Sequence, residues 1–545
     1  MRLLGSFCIC RPGRFLSLRR QVKPMLWTIT KKQLLINVLS YRFVVGFILC
    51  QVLFVLATLI LVNDYEERLQ AYGEAVSREE ERIGQARVFS DLIRDPLTLH
   101  KPPAKLSPIC TGFEKTLANQ ASLTYYRVPE LEVGRQEKNA LLAALRSIDL
   151  VTVIQLVLGL LVLLFAHDAV SGERERGTLA LSLSGPLPRH TFLLGQYLGG
   201  MITIAAVFLV GILLALFLMK RSPAISLDQT DWFRLGLIVL ISLVYLSALY
   251  LLGITASILS KRSTTALVVL LFFWIVFIVI FPNLTSALAA RLKPVPARGV
   301  VSERASLLRT EFWTRVHAEA SRDLPRPEHN FDYIKDRRVY SGGLAYPMRI
   351  FYAPREIMEW ELAGLKRFLP LEIQYADKIH AVHIEYERQL DAQARLARLL
   401  ARFSPAWSYY NTASSLAGTD AETQLAFLDR ARRYRSQLMD YVSSKDGFLS
   451  YRFFTRREPQ SFKSTPELDL LRGQGDRLQL EIGQGWESIP PLDLRDRPPF
   501  NHSTFRVRDS LLNALPDLVL LVFLNLAFFL AAHVCFLRTD VRVGG

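Results

Sequence analysis

The stretch from His167 to Leu198 reads HDAVSGERERGTLALSLSGPLPRHTFLLGQYL; it follows the apolar run Val151 to Ala166 and leads into another, Phe192 to Leu218. Asp168, Glu173, Arg174, Glu175 and Arg176 crowd its start, then come Gly177, Thr178 and an amphipathic Leu179-Ala180-Leu181-Ser182-Leu183. Each ionised group would cost about 2.5 to 3.5 kcal/mol at a bilayer centre. The segment is therefore expected at the membrane surface, as a short helical hairpin between two spans.

Six runs of the chain are long enough to cross about 30 Å of hydrocarbon: Phe43 to Val62, Leu150 to Ala166, Phe192 to Leu218, Leu235 to Leu259, Ala266 to Phe281 and Leu515 to Phe536. Basic residues orient them. Arg2, Arg11, Arg14, Arg19, Arg20, Lys23, Lys31, Lys32 and Arg42 precede the first run with no Asp or Glu among them, which places the N-terminus in the cytoplasm. Threading the remaining runs puts Lys261 and Arg262, and the tail with Arg538 and Arg542, on the same side. The charged segment falls there by threading alone, since its acids nearly cancel its bases.

The expected fold is mainly α, a polytopic membrane protein with six transmembrane helices and a mainly helical extracytoplasmic domain. Residues 1–42 form a cytoplasmic N-terminus with an interfacial elbow helix, 43–62 the first transmembrane helix and 63–149 an extracytoplasmic insertion. Residues 150–282 hold four transmembrane helices with the charged segment 167–190, 283–513 a large extracytoplasmic domain, 514–537 the last transmembrane helix and 538–545 a cytoplasmic tail. Within the large domain, apolar positions between Leu369 and Val442 recur at helical spacing, whereas Arg457 to Pro499 is rich in Pro, Gly and charge and reads as irregular chain. The smaller insertion has too few apolar residues for a core of its own, so the two are expected to form one unit.

The net charge of +16 does not point to nucleic acid, because the basic excess is partly flanking charge and the rest is spread over a region dense in Asp and Glu. From Leu26 to Tyr41, Trp27, Leu34, Leu35, Val38 and Leu39 alternate with Lys31, Lys32 and Asn37, as in a helix lying on membrane lipid. Two readings stand for Met1 to Pro24, which lacks a cleavable signal: a disordered tail, or a start-site artefact with Met25 as the true beginning. Of Cys8, Cys10, Cys50, Cys110 and Cys535 only Cys110 faces an oxidising compartment, so no internal disulfide framework is expected. His380 and His383, with Glu385 and Glu387, stand near one helical face, but their spacing is not that of a zinc protease, and no metal site is expected. Trp407, Tyr409 and Tyr410 read as core rather than as a binding surface.

The residues Asp168, Ser171, Gly172, Glu173, Arg174, Glu175, Gly177, Thr178, Leu179, Ser184, Pro186 and Arg189 resemble the cytoplasmic coupling segment of type 2 ABC transporter permeases, the ABC-2 family. Gln196 departs from that pattern, since many members carry a Lys just before the span. The segment Arg402 to Tyr441 is similar to a subgroup with a large extracytoplasmic insertion before the last span, through Ser404-Pro405, Leu416-Ala417-Gly418-Thr419-Asp420, Phe427-Leu428 and Tyr434-Arg435. Lys101-Pro102-Pro103, Leu106-Ser107 and Gly112 also match that subgroup, and the resemblance runs through most of the chain from Leu34 onward. Physically, Ser404 reads as a helix cap with Pro405 at its first position, Gly418 as its end and Asp420 as the next cap.

The chain has no Gly-rich phosphate loop ending in Gly-Lys-Ser or Gly-Lys-Thr, so it is expected to be non-catalytic, with no cofactor of its own. The resemblance implies cytoplasmic ABC ATPase subunits carrying ATP and magnesium, docked on the hairpin, and a second permease chain, identical or related, in the inner membrane. Glu173 is expected to pair with a basic ATPase surface or to cap the helix start, and Gly177 to permit a close turn. The expected function is a permease subunit that couples ATP hydrolysis to export or extracytoplasmic rearrangement of an amphiphilic or lipid-linked substrate. The spans favour such a cargo because Gln51, Gln155, Ser242, Ser247 and Asn525 are their main polar groups, whereas a charged solute needs paired partners in the membrane. Two alternatives stand beside it: a mechanical subunit that transports nothing and acts on an extracytoplasmic partner, and a membrane scaffold or sensor without an ATPase.

Overall fold

The structure, a computed structural model, describes residues 13–117, 119–130, 148–184, 188–325, 327, 353–472, 489–501 and 507–539. Among them six helices are long and apolar enough to cross a membrane: Tyr41–Gly84, Leu150–Glu175, Arg189–Arg221, Gln229–Leu259, Ser263–Leu292 and Val507–Arg538, the first to sixth spans below. Each contains one of the apolar runs and extends beyond it; in all but the second, whose helix ends at Ala166 before a turn, the hydrogen-bond ladder runs on past the apolar residues because it does not stop where hydrocarbon ends. The first carries on to Gly84 and lifts its charged turns clear of the bundle. The second and fourth have 67% of their most apolar stretch buried, against 17% and 11% for the fifth and sixth, so they form the centre. The fifth widens into a π turn at Trp274–Ile280; Pro282 follows, whose missing N–H leaves a carbonyl one turn back without its usual donor.

The elbow helix Gly13–Val38 ends just before Ser40, whose hydroxyl accepts from the Phe43 N–H at 3.2 Å and starts the first span. It packs on the third span at Gly199, where a Cβ would stand 2.7 Å from that of Gln33 and 2.9 Å from the Thr30 carbonyl. Its inward residues are polar. Thr30, Gln33 and Asn37 are buried, with Gln33 bonded to Asn37 at 3.0 Å and Asn37 to Thr203 at 3.4 Å, while Trp27, Leu35 and Leu39 face out. Polar groups inside and apolar groups outside suit a helix whose outer neighbour is lipid.

On the opposite side of the bundle from the hairpin, the two insertions share one hydrophobic core. Ile83, Leu92, Leu97, Leu123 and Tyr125 from the smaller pack with Ile357, Leu365, Phe427, Leu438, Phe453 and Phe454 from the larger. The buried Arg435 guanidinium fastens the two further, donating to the Thr124 and Tyr125 carbonyls at 2.8 and 2.5 Å. Amid the helices the smaller insertion contributes an antiparallel pair of strands, Leu97–His100 and Gln120–Leu123, in register Leu97 with Leu123. Four residues are too few for an alternating pattern to stand out in the sequence. Arg457 to Pro499 runs mostly as irregular chain in its described part, with a 3-10 turn at Pro459–Ser461 and an α-helix, Thr465–Arg472; Leu492 donates to the Ala86 carbonyl at 2.7 Å and Arg497 meets Glu80 at 3.0 Å.

The helix Pro405–Ala417 sits among the spans. Ser404 caps it, accepting from the Trp407 N–H at 3.3 Å; Gly418 ends it at φ +73°, and Asp420 caps the following helix Ala421–Ser444 through the Thr423 N–H at 3.2 Å. Tyr409 stacks on Tyr245 of the fourth span with ring centres 4.6 Å apart and bonds Ser242 at 2.8 Å. Tyr410 reaches Asp149, the cap of the second span, at 3.3 Å, and Ser404 donates to the Phe277 carbonyl of the fifth at 2.6 Å. Asn411 and Arg402 both hold the fully buried Asp517 of the sixth, at 2.8 and 3.0 Å. This one helix thus joins four spans to the insertion domain.

Candidate functional site

Past Ala166 the second span breaks in a turn, and its last residues, Ser171–Glu175, form the first of two short helices; the other, Thr178–Leu183, meets it at Gly177 with φ +71°. No atom lies within 4 Å of where a Cβ would project there, so the left-handed backbone rather than crowding calls for glycine. The hairpin is closed on itself by Thr178, whose hydroxyl donates to a Glu173 carboxylate oxygen at 2.5 Å, and Leu179 is buried beneath it.

The charged side chains reach other helices. Glu173 is buried and takes the Lys32 ammonium of the elbow helix at 2.9 Å, so its carboxylate faces inward rather than toward a docking partner. Asp168 pairs with Arg42 at the start of the first span, at 3.1 Å. Arg174 donates to the Ser260 and Ile258 carbonyls at 2.8 and 3.3 Å, satisfying the end of the fourth span, and Glu175 accepts from the Ser263 N–H and hydroxyl at 2.8 and 2.9 Å, capping the fifth. Arg189 donates to the Phe536, Leu537 and Thr539 carbonyls at 2.9, 2.7 and 3.3 Å, closing the end of the sixth. Ser171 is fixed by Ser257, whose hydroxyl accepts from the Ser171 N–H at 2.9 Å, and the buried Gly172 lets the helix pass close over Asp168. Ser184 turns its hydroxyl back to the Leu181 carbonyl at 2.8 Å, and Pro186 lies outside the described residues. Gln196 is buried in the third span, where it gives its carbonyl to the Tyr250 hydroxyl at 3.4 Å.

What this leaves on the surface of the hairpin is Glu175, Arg176, Ser184 and, 76% exposed, Leu181. The partners Lys32, Arg42, Ser257 and Ser263 carry no motif. Lys32 and Arg42 are visible in the sequence only as flanking positive charge, and nothing local marks them as the counterions of Glu173 and Asp168.

Fold and site together define a polytopic α-helical membrane protein in which one surface hairpin is fastened to the ends of the other spans. The chain belongs to the ABC-2 transporter family: the family model described as ABC-2 family transporter protein matches residues 27–541. It is also similar to a protein of Pseudomonas aeruginosa named as probable ABC transporter permease protein NosY, 34% identical over 150 residues, which are 27% of this chain and 53% of that one. The chain thus spans about half the length of the curated relative it matches.

Proposed function

We propose that this chain is the permease subunit of an ABC transporter in the cytoplasmic membrane, with both termini and the hairpin in the cytoplasm and the insertion domain outside. A separate ATPase subunit docks on the hairpin, and two permease chains, identical or related, serve a pair of ATPases. The observation that carries this reading is the wiring of the hairpin: Glu173, Arg174, Glu175 and Arg189 tie it to the elbow helix and to the fourth, fifth and sixth spans. A push on its exposed Leu181 is therefore delivered to several helix ends at once. An amphiphilic or lipid-linked cargo fits the polar groups of the spans, which are mostly bonded to one another, as where Ser247 meets Asn525 at 2.6 Å and Tyr197 at 2.7 Å.

A second reading, mechanical work on an extracytoplasmic partner, is favoured by the single core that makes the insertions one body above the spans. The test is ATP hydrolysis by the cognate ATPase reconstituted with wild-type or Leu181→Asp permease. Leu181→Asp should remove permease-dependent stimulation while leaving the melting temperature unchanged; full stimulation with the variant would overturn the docking surface. Impermeant thiol reagents should label probes at the exposed Ser321 and Ser436 of the insertion domain from outside, since Ser107 and Ser414 are fully buried, and never probes at Ser184 or Ser263.

A further inference from the structure

A cavity of about 450 Å³ lies in the insertion domain, far in the sequence from every hairpin residue and within the size range of small-molecule sites. Three elements wall it: the chain from Ser122 to Glu130 of the smaller insertion, the helix Arg298–Asp323, and the helix Arg355–Ala401. On the last, Glu372, Tyr375, Ala376, Ile379, His380 and His383 follow at alternating spacings of three and one along one face, so a single helical stripe supplies that wall.

The lining and the mouth differ in charge. Glu372 is buried and accepts from the Tyr125 hydroxyl at 2.9 Å; burial holds its carboxyl up at about 7, against the opposing pull of that hydrogen bond and of Arg94. Glu130 stands 3.3 Å from His383 Nε2. His380 Nδ1 is buried with no hydrogen-bond partner among the described residues, and burial, reinforced by Arg432, holds the imidazole below its usual range and hence neutral. Beside them Phe312 packs against Trp313 and Tyr375 with ring centres 5.2 and 5.5 Å apart. Lys378, three residues along the same helix and outside the cavity lining, rests its ammonium 4.3 Å from the Tyr375 ring centre. Arg127 and Arg309 also line the cavity, yet both are exposed, so the guanidiniums sit at its mouth.

We propose that this cavity binds a small zwitterion, its primary ammonium seated among Glu372, Glu130, His380 and the aromatic rings, and its anionic group held by Arg127 and Arg309. Three acceptors match the three N–H bonds of a primary ammonium. A plain cation would have to pass two guanidiniums, and a plain anion would face two carboxyls inside. A ligand carrying both charges meets a complement at each end, as a phosphoethanolamine unit does, free or as a lipid headgroup. The proposal stands on the cavity alone and does not rest on the permease reading.

The test uses purified full-length protein in phosphatidylglycerol nanodiscs, with calorimetry and tryptophan fluorescence, for which Trp313 is a reporter in the wall. O-phosphoethanolamine, a short-chain phosphatidylethanolamine, ethanolamine and inorganic phosphate are titrated in turn. At least one zwitterion should saturate, with ethanolamine and phosphate each about tenfold weaker or more. Saturation by free O-phosphoethanolamine identifies a soluble ligand, and saturation by the lipid alone identifies a headgroup. Glu372→Gln should weaken the zwitterion about tenfold with an unchanged circular dichroism spectrum, and Arg309→Gln should weaken the zwitterion but not ethanolamine. Absence of binding by both zwitterions, ethanolamine binding as well as they do, or undiminished binding by Glu372→Gln would each overturn the assignment.

Discussion

The two ends of the bundle combine directional bonds and apolar packing in different proportions. At the hairpin end, Arg174, Glu175 and Arg189 bond to backbone groups that the spans leave unpaired, and Glu173 meets Lys32. At the other end the insertions are joined by a continuous apolar core, and Pro405–Ala417 is packed between spans. Directional bonds that water reaches, such as those of Glu175 and Lys32, contribute about 1 kcal/mol or less each and are exchanged one at a time, whereas apolar burial sums over a whole surface and is lost cooperatively. The difference teaches that the insertion end is built as one cooperative body, while the hairpin end is held by contacts that can be exchanged singly.

The largest effect that would break this contrast is in the shared core. Phe454→Ala, at a fully buried position, should cost about 3 to 5 kcal/mol, and amide exchange should rise together in Leu97–His100 and Ala421–Ser444. Loss of protection in only one of them would show two bodies rather than one.

A somewhat smaller effect follows from Glu372. Its carboxyl keeps a proton up to about pH 7 when folded but only to about 4.5 when unfolded, so between these values the folded state binds more protons. Stability from this group is therefore intact below pH 4.5 and declines until pH passes 7, by about 3 kcal/mol in all. Glu372→Gln should flatten that decline in thermal melts taken from pH 4.5 to 8, while an unchanged pH profile would remove the buried acid from the account.

Asp517→Ala comes next, at about 2 kcal/mol, because it leaves Arg402 and Asn411 without their shared acceptor where the insertion domain meets the sixth span; the partial exposure of Arg402 limits the loss. Proteolysis near Arg402 should accelerate with the hairpin end unaffected. The smallest effect belongs to the hairpin itself. Gly177→Ala should cost about 1 kcal/mol through its left-handed backbone, and Gly177→Asn less, since Asn tolerates that conformation. Equal losses in thermal melts would show that the conformation at this position is not what the glycine serves.

The sequence by itself determined the six spans, because a backbone crossing hydrocarbon must satisfy its own hydrogen bonds and a helix of that length does so locally. It also determined the short helical hairpin after the second apolar run and the caps Ser404, Gly418 and Asp420, each a matter of a few neighbouring residues. The candidate segment was legible as a motif, but the direction in which its charges point was not. Only the tertiary structure paired Glu173 with Lys32, 141 residues away, and Arg189 with the Phe536 carbonyl, 347 away. It alone placed Pro405–Ala417 among the spans, showed which residues of the two insertions make the shared core that the sequence led one to expect, and opened the cavity between them. Periodicity tells which face of a helix is apolar; which surface that face meets is settled by contacts summed across the whole chain, and no local window contains them.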